Sequence, residues 1–485
     1  PECIESTHRE KNQLKQIVVD SDDEMLAMVR KLSEEQMVIF SKMIDYCKHL
    51  LLSMCGIDIL LEPPRFIVHG GGGVGKSYLI NCLAKWIEKI LRKVGDNPLH
   101  PKVLLLAPTG IAAYLINGTT LHTGLGFKFG ARKYLPLPQA RMETFRKTFE
   151  ELEIVIMDEF SMISSDQLYD VHRRLEDIFI SKDLFGGKSV ILFGDIMQLP
   201  PVRGRPIFKK PFGPKNTSLW NSSDNLWKSF EVVTLKVSQR QKAIVWKECL
   251  NRIRIGKPSL EDLELLQSRR LSNFPNFSVN EACHVFYRNI KVDDHNRKML
   301  NSLKSDLIHV KYEGMYPKGY KLIVQPHGTI EDTALLKDLY IKEGARVMLT
   351  FNVNLADSLV NGSMGTVIGF IWNESKVKAI VVAFDNEDTG QQQRRDHQND
   401  SAMFEDQNGV PIYKLSLEHL VKGSTRITKS HGAMGTTTQF PLRLSWANTC
   451  HKLQGVTIKE GSNLVVHGDD HPKMKIPRNM FYVMF

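Results

Sequence analysis

The sequence lacks the features that mark several large classes of protein. Its seven cysteines are scattered, odd in number and without a C-x-x-C pair, so neither a zinc module nor a disulfide framework is encoded. The most apolar stretch, residues 49–61, is interrupted by Asp58 and is shorter than the roughly 20 residues that a membrane span needs. No repeat of fixed period and no signal-peptide pattern is present. These absences favour an intracellular protein with reduced thiols, and we expect a nuclear or else a mitochondrial location.

The composition is that of a folded protein with an anionic partner. Apolar residues make up 42% and charged residues 24%, which is near the globular average. A chain of 485 residues has room for about three domains. The formal net charge of +10 favours a nucleic acid or a phosphate compound as partner, although many basic proteins have neither.

The order of apolar runs predicts an α/β fold. Strand-like runs at 66–68, 103–107, 154–157 and 189–193 alternate with helical patterns such as 32–54 and 78–94. This alternation is typical of a parallel, doubly wound sheet. Short alternating runs at 345–350, 364–371 and 377–384 predict an antiparallel β unit, followed by a polar surface loop at 385–409. Buried-strand character returns at 442–446 and 462–466, which predicts that the β unit is inserted in a second α/β domain.

The strongest local signal is a phosphate-binding loop between a predicted strand and a predicted helix. It is a complete G-x-x-x-x-G-K-[ST] pattern, made of Gly70, Gly71, Gly72, Gly73, Val74, Gly75, Lys76 and Ser77. Glycines let backbone N–H groups curl around phosphate oxygens, and the helix N-terminus favours negative charge. In this pattern Lys76 contacts the β- and γ-phosphates, and the Ser77 hydroxyl is offered to Mg²⁺.

Polar residues at the ends of two later strands complete a nucleotide site. Asp158 and Glu159 follow the run 154–157, at the sheet edge where ligands of open α/β sheets bind. We predict that Asp158 holds the Mg²⁺ shell and that Glu159 orients or deprotonates the attacking water. After the run 189–193, a turn places the Gln198 amide where it senses the γ-phosphate. A solvated strand end is the alternative for each feature taken alone.

These residues and their order resemble the petite-integration-frequency (Pif) DNA helicases of superfamily one. The resemblance covers nearly the whole chain, from 32–36 through 107–113, 120–123, 158–162, 194–202 and 239–241 to 446–457. It implies that Gln36 reads adenine and that Arg240 touches the γ-phosphate. The resemblance also implies DNA contact by a set of residues in three of these segments: Thr109, Gly110, His122, Thr123, His451 and Lys452.

The resemblance further implies a domain plan and an activity. The plan is a flexible leader (1–30), a first RecA-like motor domain (31–235, with an insertion at about 128–150), a second RecA-like motor domain (236–340 and 435–485) and an inserted SH3-like domain (341–434). The implied activity is ATP- and Mg²⁺-dependent unwinding of forked duplex DNA, with 5′ to 3′ movement on single-stranded DNA and ATP bound between the motor domains. Repair, recombination, replication and telomere maintenance are the processes implied.

One departure from the family pattern leaves an alternative open. The family's last motif is strand-like and ends in serine and arginine, whereas here 481–484 is followed by Phe485. We expect truncation of the sequence rather than degeneration. The alternative function is a DNA-binding helicase remnant of a rolling-circle, Helitron-type transposable element with impaired ATP turnover.

Overall fold

The computed structural model describes most of the chain and divides it into two compact units. The residues described are 16–57, 61–127, 134–202, 204–212, 220–221, 225–236, 244–317, 320–325, 327–330, 333–423, 433–453, 463–468 and 477–484. We call residues 14–263 the N-terminal unit and residues 264–485 the C-terminal unit. The division falls after Leu263, later than the predicted boundary at 235/236.

A six-stranded parallel sheet forms the centre of the N-terminal unit. Its strands are β1 (Arg65–Gly70), β2 (Val103–Ala107), β3 (Thr119–Thr120), β4 (Ile154–Met157), β5 (Ser189–Gly194) and β6 (Glu231–Leu235). They lie in the order β3-β2-β4-β5-β1-β6, and every pair is parallel. All residues of β2, β4 and β5 are buried, because helices cover both faces of the sheet. The predicted doubly wound sheet is therefore confirmed.

The helices of this unit bury the two faces of the sheet in two separate cores. They are α1 (Asp22–Arg30), α2 (Glu34–Met54), α3 (Lys76–Leu91), α4 (Gly110–Leu115), α5 (Leu121–Gly124), α6 (Gln139–Thr148), α7 (Ser165–Phe179) and α8 (Ile244–Ile255), with α9 (Leu260–Ser268) containing the division between the units. Successive residues of β2 point to opposite faces. Val103 and Leu105 pack with α2 and α3, whereas Leu104 and Leu106 pack with α7.

The C-terminal unit combines a small parallel sheet with antiparallel β structure. Its helices are α10 (Asn289–Ser302), α11 (Gln391–Asp396), α12 (Gln398–Ser401), α13 (Cys450–Leu453) and α14 (Arg478–Met484). Its strands are β7 (Cys283–Phe286), β8 (Ile308–Lys311), β9 (Glu313–Met315), β10 (Tyr320–Lys321), β11 (Asp338–Ile341), β12 (Arg346–Leu349), β13 (Met364–Asn373), β14 (Lys376–Phe384), β15 (Gly409–Tyr413), β16 (Leu415–Gly423), β17 (Ala433–Gln439), β18 (Leu442–Leu444), β19 (Ala447–Thr449) and β20 (Leu464–Val466).

The sheets of this unit include the predicted antiparallel β structure. Strands β19, β7 and β20 are parallel, as in an α/β domain. One antiparallel sheet has the strand order β15-β14-β13-β12-β18. Two further antiparallel sheets have the orders β10-β16-β17-β9 and β11-β8. Residues 442–444 form a strand as predicted, but this strand, β18, pairs with β12 in the antiparallel sheet and not with the parallel strands of the second α/β domain. None of the helices described in either unit is long and apolar enough to cross a membrane.

Three other predicted segments also differ from the structure. Part of the predicted flexible leader is α1, whose Ser21 side chain caps the helix and whose Met25 is fully buried. The predicted polar loop at 385–409 contains α11 and α12, and the Asp357 carboxylate accepts the N–H groups of Gln392 and Gln393. The predicted strand-like end at 481–484 is helical and belongs to α14. Composition did not predict these helices. The first is stabilised by the Ser21 cap, and α11 is stabilised by the distant carboxylate of Asp357.

Candidate active site

The predicted phosphate-binding loop connects β1 to α3 in the N-terminal unit. Gly73 and Gly75 have φ values of 78° and 77°, a left-handed conformation that side chains disfavour. Helix α3 begins at Lys76, directly after the loop. Its first backbone N–H groups have no partner within the helix and point toward the loop end. The loop therefore has the backbone shape and the helix N-terminus that bind phosphate.

Gln36 holds this loop from the start of α2. Its Oε1 accepts the N–H of Ser33 at 2.8 Å, and its Nε2 donates to the carbonyl oxygens of Val74 at 3.1 Å and Gly75 at 3.2 Å. Gln36 is only 1% exposed. A Cβ on Gly75 would lie 2.6 Å from the Gln36 Nε2, so this contact also requires a glycine there. The structure thus shows Gln36 bound to the phosphate loop, and its contact with adenine stays a prediction.

The Lys76 side chain folds back over the loop. Its Nζ donates hydrogen bonds of 2.9 Å to the carbonyl oxygens of both Gly70 and Gly71, and the residue is 9% exposed. An ammonium group keeps three donors, so these two carbonyls leave one for another acceptor. The lysine lies at the loop as predicted, held by backbone oxygens that a triphosphate would replace.

The two adjacent carboxylates follow β4, as predicted. Asp158 is 4% exposed, and burial raises its pKa to about 7, with the negative charge of Glu159 acting in the same direction and Lys76 opposing it. The influence of Lys76 shows that the phosphate loop and the acidic pair share one local environment. Glu159 has a φ of 52°, and its backbone N–H donates to Asp158 Oδ1 at 2.8 Å. Such a backbone conformation costs about 1–3 kcal/mol in a residue with a side chain and clusters at functional sites.

The donor atoms at this edge suit magnesium. Ser77 is the second residue of α3 and carries a hydroxyl, and the carboxylate of Asp158 is buried directly after β4. Mg²⁺ prefers such hard oxygen ligands and usually takes one or two carboxylates together with waters and substrate phosphates. Among the residues that the structure describes, no group of three or more His, Cys, Asp or Glu residues forms a metal cluster.

Gln198 lies in the turn that follows β5, between the strands that carry the loop and the acidic pair. The Gln198 N–H donates to the Asp195 carbonyl at 3.0 Å, and the Met197 N–H donates to Asp195 Oδ1 at 3.0 Å. Because β4, β5 and β1 are parallel neighbours, their carboxyl ends meet at one edge. Topology thus brings Gln198 to the same edge as Lys76 and Asp158.

A buried ion pair behind this turn escaped the sequence analysis. The Asp195 side chain is fully buried, and Arg254 on α8 donates to both its oxygens, at 2.8 Å from Nε and 2.7 Å from Nη2. Arg254 Nη2 also donates to His69 Nε2 at 3.0 Å. Burial lowers the pKa of His69, which keeps that nitrogen free to accept. A carboxylate directly after a buried strand signals a cationic partner, but no sequence pattern indicates a partner 59 positions away.

The predicted DNA-contact residues of the N-terminal unit lie at the ends of β2 and β3, away from the phosphate loop. The Thr109 Oγ1 accepts the Ala112 N–H and caps α4, in which Gly110 is the first residue. His122 and Thr123 lie in α5, whose start is capped by the Thr120 hydroxyl. Burial lowers the pKa of His122. Thr109 and Thr123 are thus held by hydrogen bonds at helix starts that follow β2 and β3, at the carboxyl-end edge of the sheet that also carries the phosphate loop.

The remaining predicted site residues lie elsewhere. His451 and Lys452 belong to α13 of the C-terminal unit. Burial, with a smaller effect of Arg443, lowers the pKa of Lys452 to about 8, and burial also lowers that of His451. Arg240 lies outside the described residues. The structure therefore groups Gln36, the loop, the acidic pair and Gln198 at one sheet edge, and the roles of all the predicted site residues stay predictions.

Comparisons with known proteins agree with this arrangement. The family model of the PIF1-like helicases matches residues 31–255. The uncharacterized protein 030L of Invertebrate iridescent virus 6 is 26% identical, over 87% of this chain and 88% of its own. The ATP-dependent DNA helicases Pif1 of Psychrobacter and Campylobacter jejuni are 26% and 25% identical over 83% of this chain, which spans 62% and 83% of their respective lengths.

Solved structures share the fold over almost the whole chain. Pif1 helicase from Candida albicans has a TM-score of 0.61 at 21% identity, covering 93% of this chain and 92% of that one. Bacteroides Pif1 bound to single-stranded DNA has a TM-score of 0.60 at 23% identity, with 93% and 89% coverage. Phosphate loop, acidic pair, strand order and these similarities agree: the chain matches the PIF1-like helicase model over residues 31–255 and is similar to ATP-dependent DNA helicases Pif1 over most of its length.

Proposed function

We propose that this chain hydrolyses ATP with Mg²⁺ and uses the free energy to move 5′ to 3′ along single-stranded DNA, unwinding forked duplex DNA. The observation that carries the proposal is the grouping of Lys76 and the Asp158–Glu159 pair at one edge of a single parallel sheet. The candidate DNA contacts follow β2 and β3 of that same sheet. Two solved structures support the choice of substrate: Bacteroides Pif1 bound to single-stranded DNA, and two coordinating Pif1 helicases at forked double-stranded DNA.

The residues of the loop bind and orient the triphosphate. The N–H groups of the loop and of the first turn of α3 donate to phosphate oxygens. The Lys76 ammonium exchanges the carbonyls of Gly70 and Gly71 for the β- and γ-phosphates and neutralises charge that develops during transfer. Ser77 and Asp158 would hold Mg²⁺, which supplies further neutralisation of the phosphate charge.

The acidic pair and Gln198 act at the γ-phosphate. Glu159, held in its left-handed conformation beside Asp158, orients the attacking water and accepts its proton. Gln198 senses the γ-phosphate through its amide, which can both donate and accept a hydrogen bond. Hydrogen bonds to Asp195 hold the turn that carries this side chain. We propose that Arg240, as a second cation beside Lys76, contacts the γ-phosphate. ATP drives movement because it prefers one of two conformations that hold DNA differently.

Unwinding of labelled forks tests the proposal. Forks with a single 5′ tail, a single 3′ tail or both tails are incubated with ATP and Mg²⁺, and strand displacement is measured together with phosphate release. We expect displacement of substrates that have a 5′ tail, DNA-stimulated phosphate release, and loss of both in Lys76→Ala while single-strand binding persists. Displacement from the 3′-tailed fork alone would contradict the polarity. DNA-stimulated turnover by Lys76→Ala would contradict the site assignment.

A further inference from the structure

A groove of about 590 Å³ lies in the C-terminal unit, outside every motif discussed so far. It is formed around the antiparallel pair of β8 and β11, in which Tyr340 lies directly opposite His309. Side chains alternate along these strands, so Val310, Leu339 and Ile341 are buried and the other face is open. We call it the tyrosine groove and define it by His309, Lys311, Tyr312, Tyr316, Lys337 and Tyr340.

Aromatic rings of the tyrosine groove are held in place yet remain accessible. The His309 and Tyr340 rings stack with centroids 4.4 Å apart and an interplanar angle of 10°. The His309 Nε2–H donates to Asp338 Oδ1 at 2.9 Å, which fixes the imidazole. Tyr340 is 46% exposed, so part of its ring remains open to a ligand beside its stacking partner. The Tyr316 hydroxyl is likewise fixed, by a 2.6 Å hydrogen bond with Thr437 Oγ1.

The charge that the groove offers to a ligand is positive. Lys311 and Lys337 are exposed, and neither forms an ion pair with a residue that the structure describes. The nearby carboxylates already have partners, since Asp338 accepts from His309 and Glu313 accepts from Lys414 Nζ at 2.7 Å. Two ammonium groups therefore flank a stacked aromatic platform.

We propose that the tyrosine groove binds single-stranded DNA, with a base stacked on Tyr340 and phosphates at Lys311 and Lys337. Flat aromatic rings beside lysines suit unpaired nucleotides, whose bases stack on aromatic side chains while the backbone follows the positive charge. Bases of a duplex are already stacked on each other and leave no face for the ring. An acidic peptide would use the lysines but would gain little from a fixed, stacked pair of rings. The choice of DNA as the ligand rests on the proposed function. The positions of the rings and the charges are observed in the structure and do not depend on it.

Photo-crosslinking locates the contact directly. An oligonucleotide containing 5-iododeoxyuridine is irradiated with the full chain, without nucleotide, and the crosslinked peptides are identified by mass spectrometry. We expect adducts in the tyrosine groove of the wild type and of Lys76→Ala, reduced about tenfold in Tyr340→Ala and retained in Tyr340→Phe. Trp372, which is 51% exposed in the same unit, provides the matched control, and Trp372→Ala should leave the adducts unchanged. Adducts confined to other peptides would overturn the proposal.

Salt dependence of binding tests the two lysines. The logarithm of the affinity for single strands falls with the logarithm of salt concentration by about 0.7 for each phosphate contact. The double variant Lys311→Ala/Lys337→Ala should therefore reduce this slope by about 1.4 and leave DNA-independent ATP hydrolysis unchanged. An unchanged slope, or stronger competition by poly-glutamate than by oligonucleotide, would refute the DNA assignment. Active unwinding without groove adducts would reject the groove alone, whereas groove adducts without DNA-stimulated turnover would reject the motor function alone.

Discussion

A single lysine of the C-terminal unit has a protonation state that is sensitive to its surroundings. Burial lowers the pKa of Lys452 to about 8, so the ammonium loses its proton in a range that experiments reach without denaturing the protein. A DNA phosphate close to the amine favours the charged form and opposes this shift. The proposed DNA contact of Lys452 therefore couples binding to proton uptake.

We expect the affinity for single-stranded DNA to be constant below about pH 7 and to fall as the pH rises through about 8. The sign follows because the free protein must take up a proton above that pKa before it pairs with phosphate. Titration with a labelled oligonucleotide at pH values from about 6.5 to about 9 measures the effect, because this interval includes the pKa and the pH values on both sides of it. Lys452→Arg should remove the fall above pH 8, because the guanidinium stays charged. The same decline in Lys452→Arg would show that another group is responsible.

At the scale of elements, the start of α2 and the phosphate loop are joined by one side chain. Gln36 satisfies the N–H of Ser33 at the helix start and holds the carbonyls of Val74 and Gly75 with its amide. A residue that only read the base would discriminate between nucleotides. A residue that supports the loop affects every triphosphate.

Gln36→Ala should accordingly weaken ATP and GTP binding to a similar degree, by about tenfold, or 1.4 kcal/mol. Both dissociation constants are measured with fluorescent nucleotides in the presence of Mg²⁺. Ser33→Ala serves as control for the helix cap alone, since it removes the cap oxygen and leaves the Gln36 amide in place. A large loss for ATP with none for GTP would instead identify Gln36 as an adenine reader.

Helix α8 is attached to β1 and β5 through one buried charge pair. Arg254 donates to both oxygens of Asp195 and to His69, and the Asp195 side chain has no exposure to water. Removing one partner of such a pair leaves a buried charge without compensation, which costs about 3–5 kcal/mol.

We expect Arg254→Met to lower the free energy of unfolding by about 3 kcal/mol, measured by urea denaturation. Asp195→Asn combined with Arg254→Met should cost less than the sum of the single changes, because the double variant buries no charge. The turn that carries Gln198 depends on Asp195, so phosphate release should slow in both single variants. Additive losses of stability would show that the two side chains do not act as a pair.

At the scale of the whole molecule, two kinds of feature could be predicted from the sequence. They are motifs made of neighbouring residues, and arrangements that follow from the order of strands and helices along the chain. The phosphate loop is a continuous pattern, and the strand before it and the helix after it are set by neighbouring residues. Parallel strands share one edge, so the loop, Asp158 and Gln198 could be placed together without coordinates. The antiparallel strands β13 and β14 were readable from their alternating side chains in the same way.

What escaped prediction depends on contacts between distant residues. The stacking of Tyr340 on His309 follows from a strand register that no local signal indicates. The Arg254–Asp195 pair joins a helix to a turn in the same manner. Helix α11 lies in a segment with polar composition, yet Asp357, more than 30 positions earlier, accepts its N–H groups. The composition of a segment indicates how it interacts with water. It does not identify the distant residue that the segment contacts in the folded chain.

The strand order β3-β2-β4-β5-β1 has a consequence for how chemistry and movement communicate. Neighbouring strands are about 4.8 Å apart, so the acidic pair after β4 lies one strand spacing from the end of β2 and two from the end of β1. The carboxylates proposed for hydrolysis and the residues proposed for DNA contact therefore follow adjacent strands of one sheet, so a change at one proposed site is separated from the other by a single strand spacing.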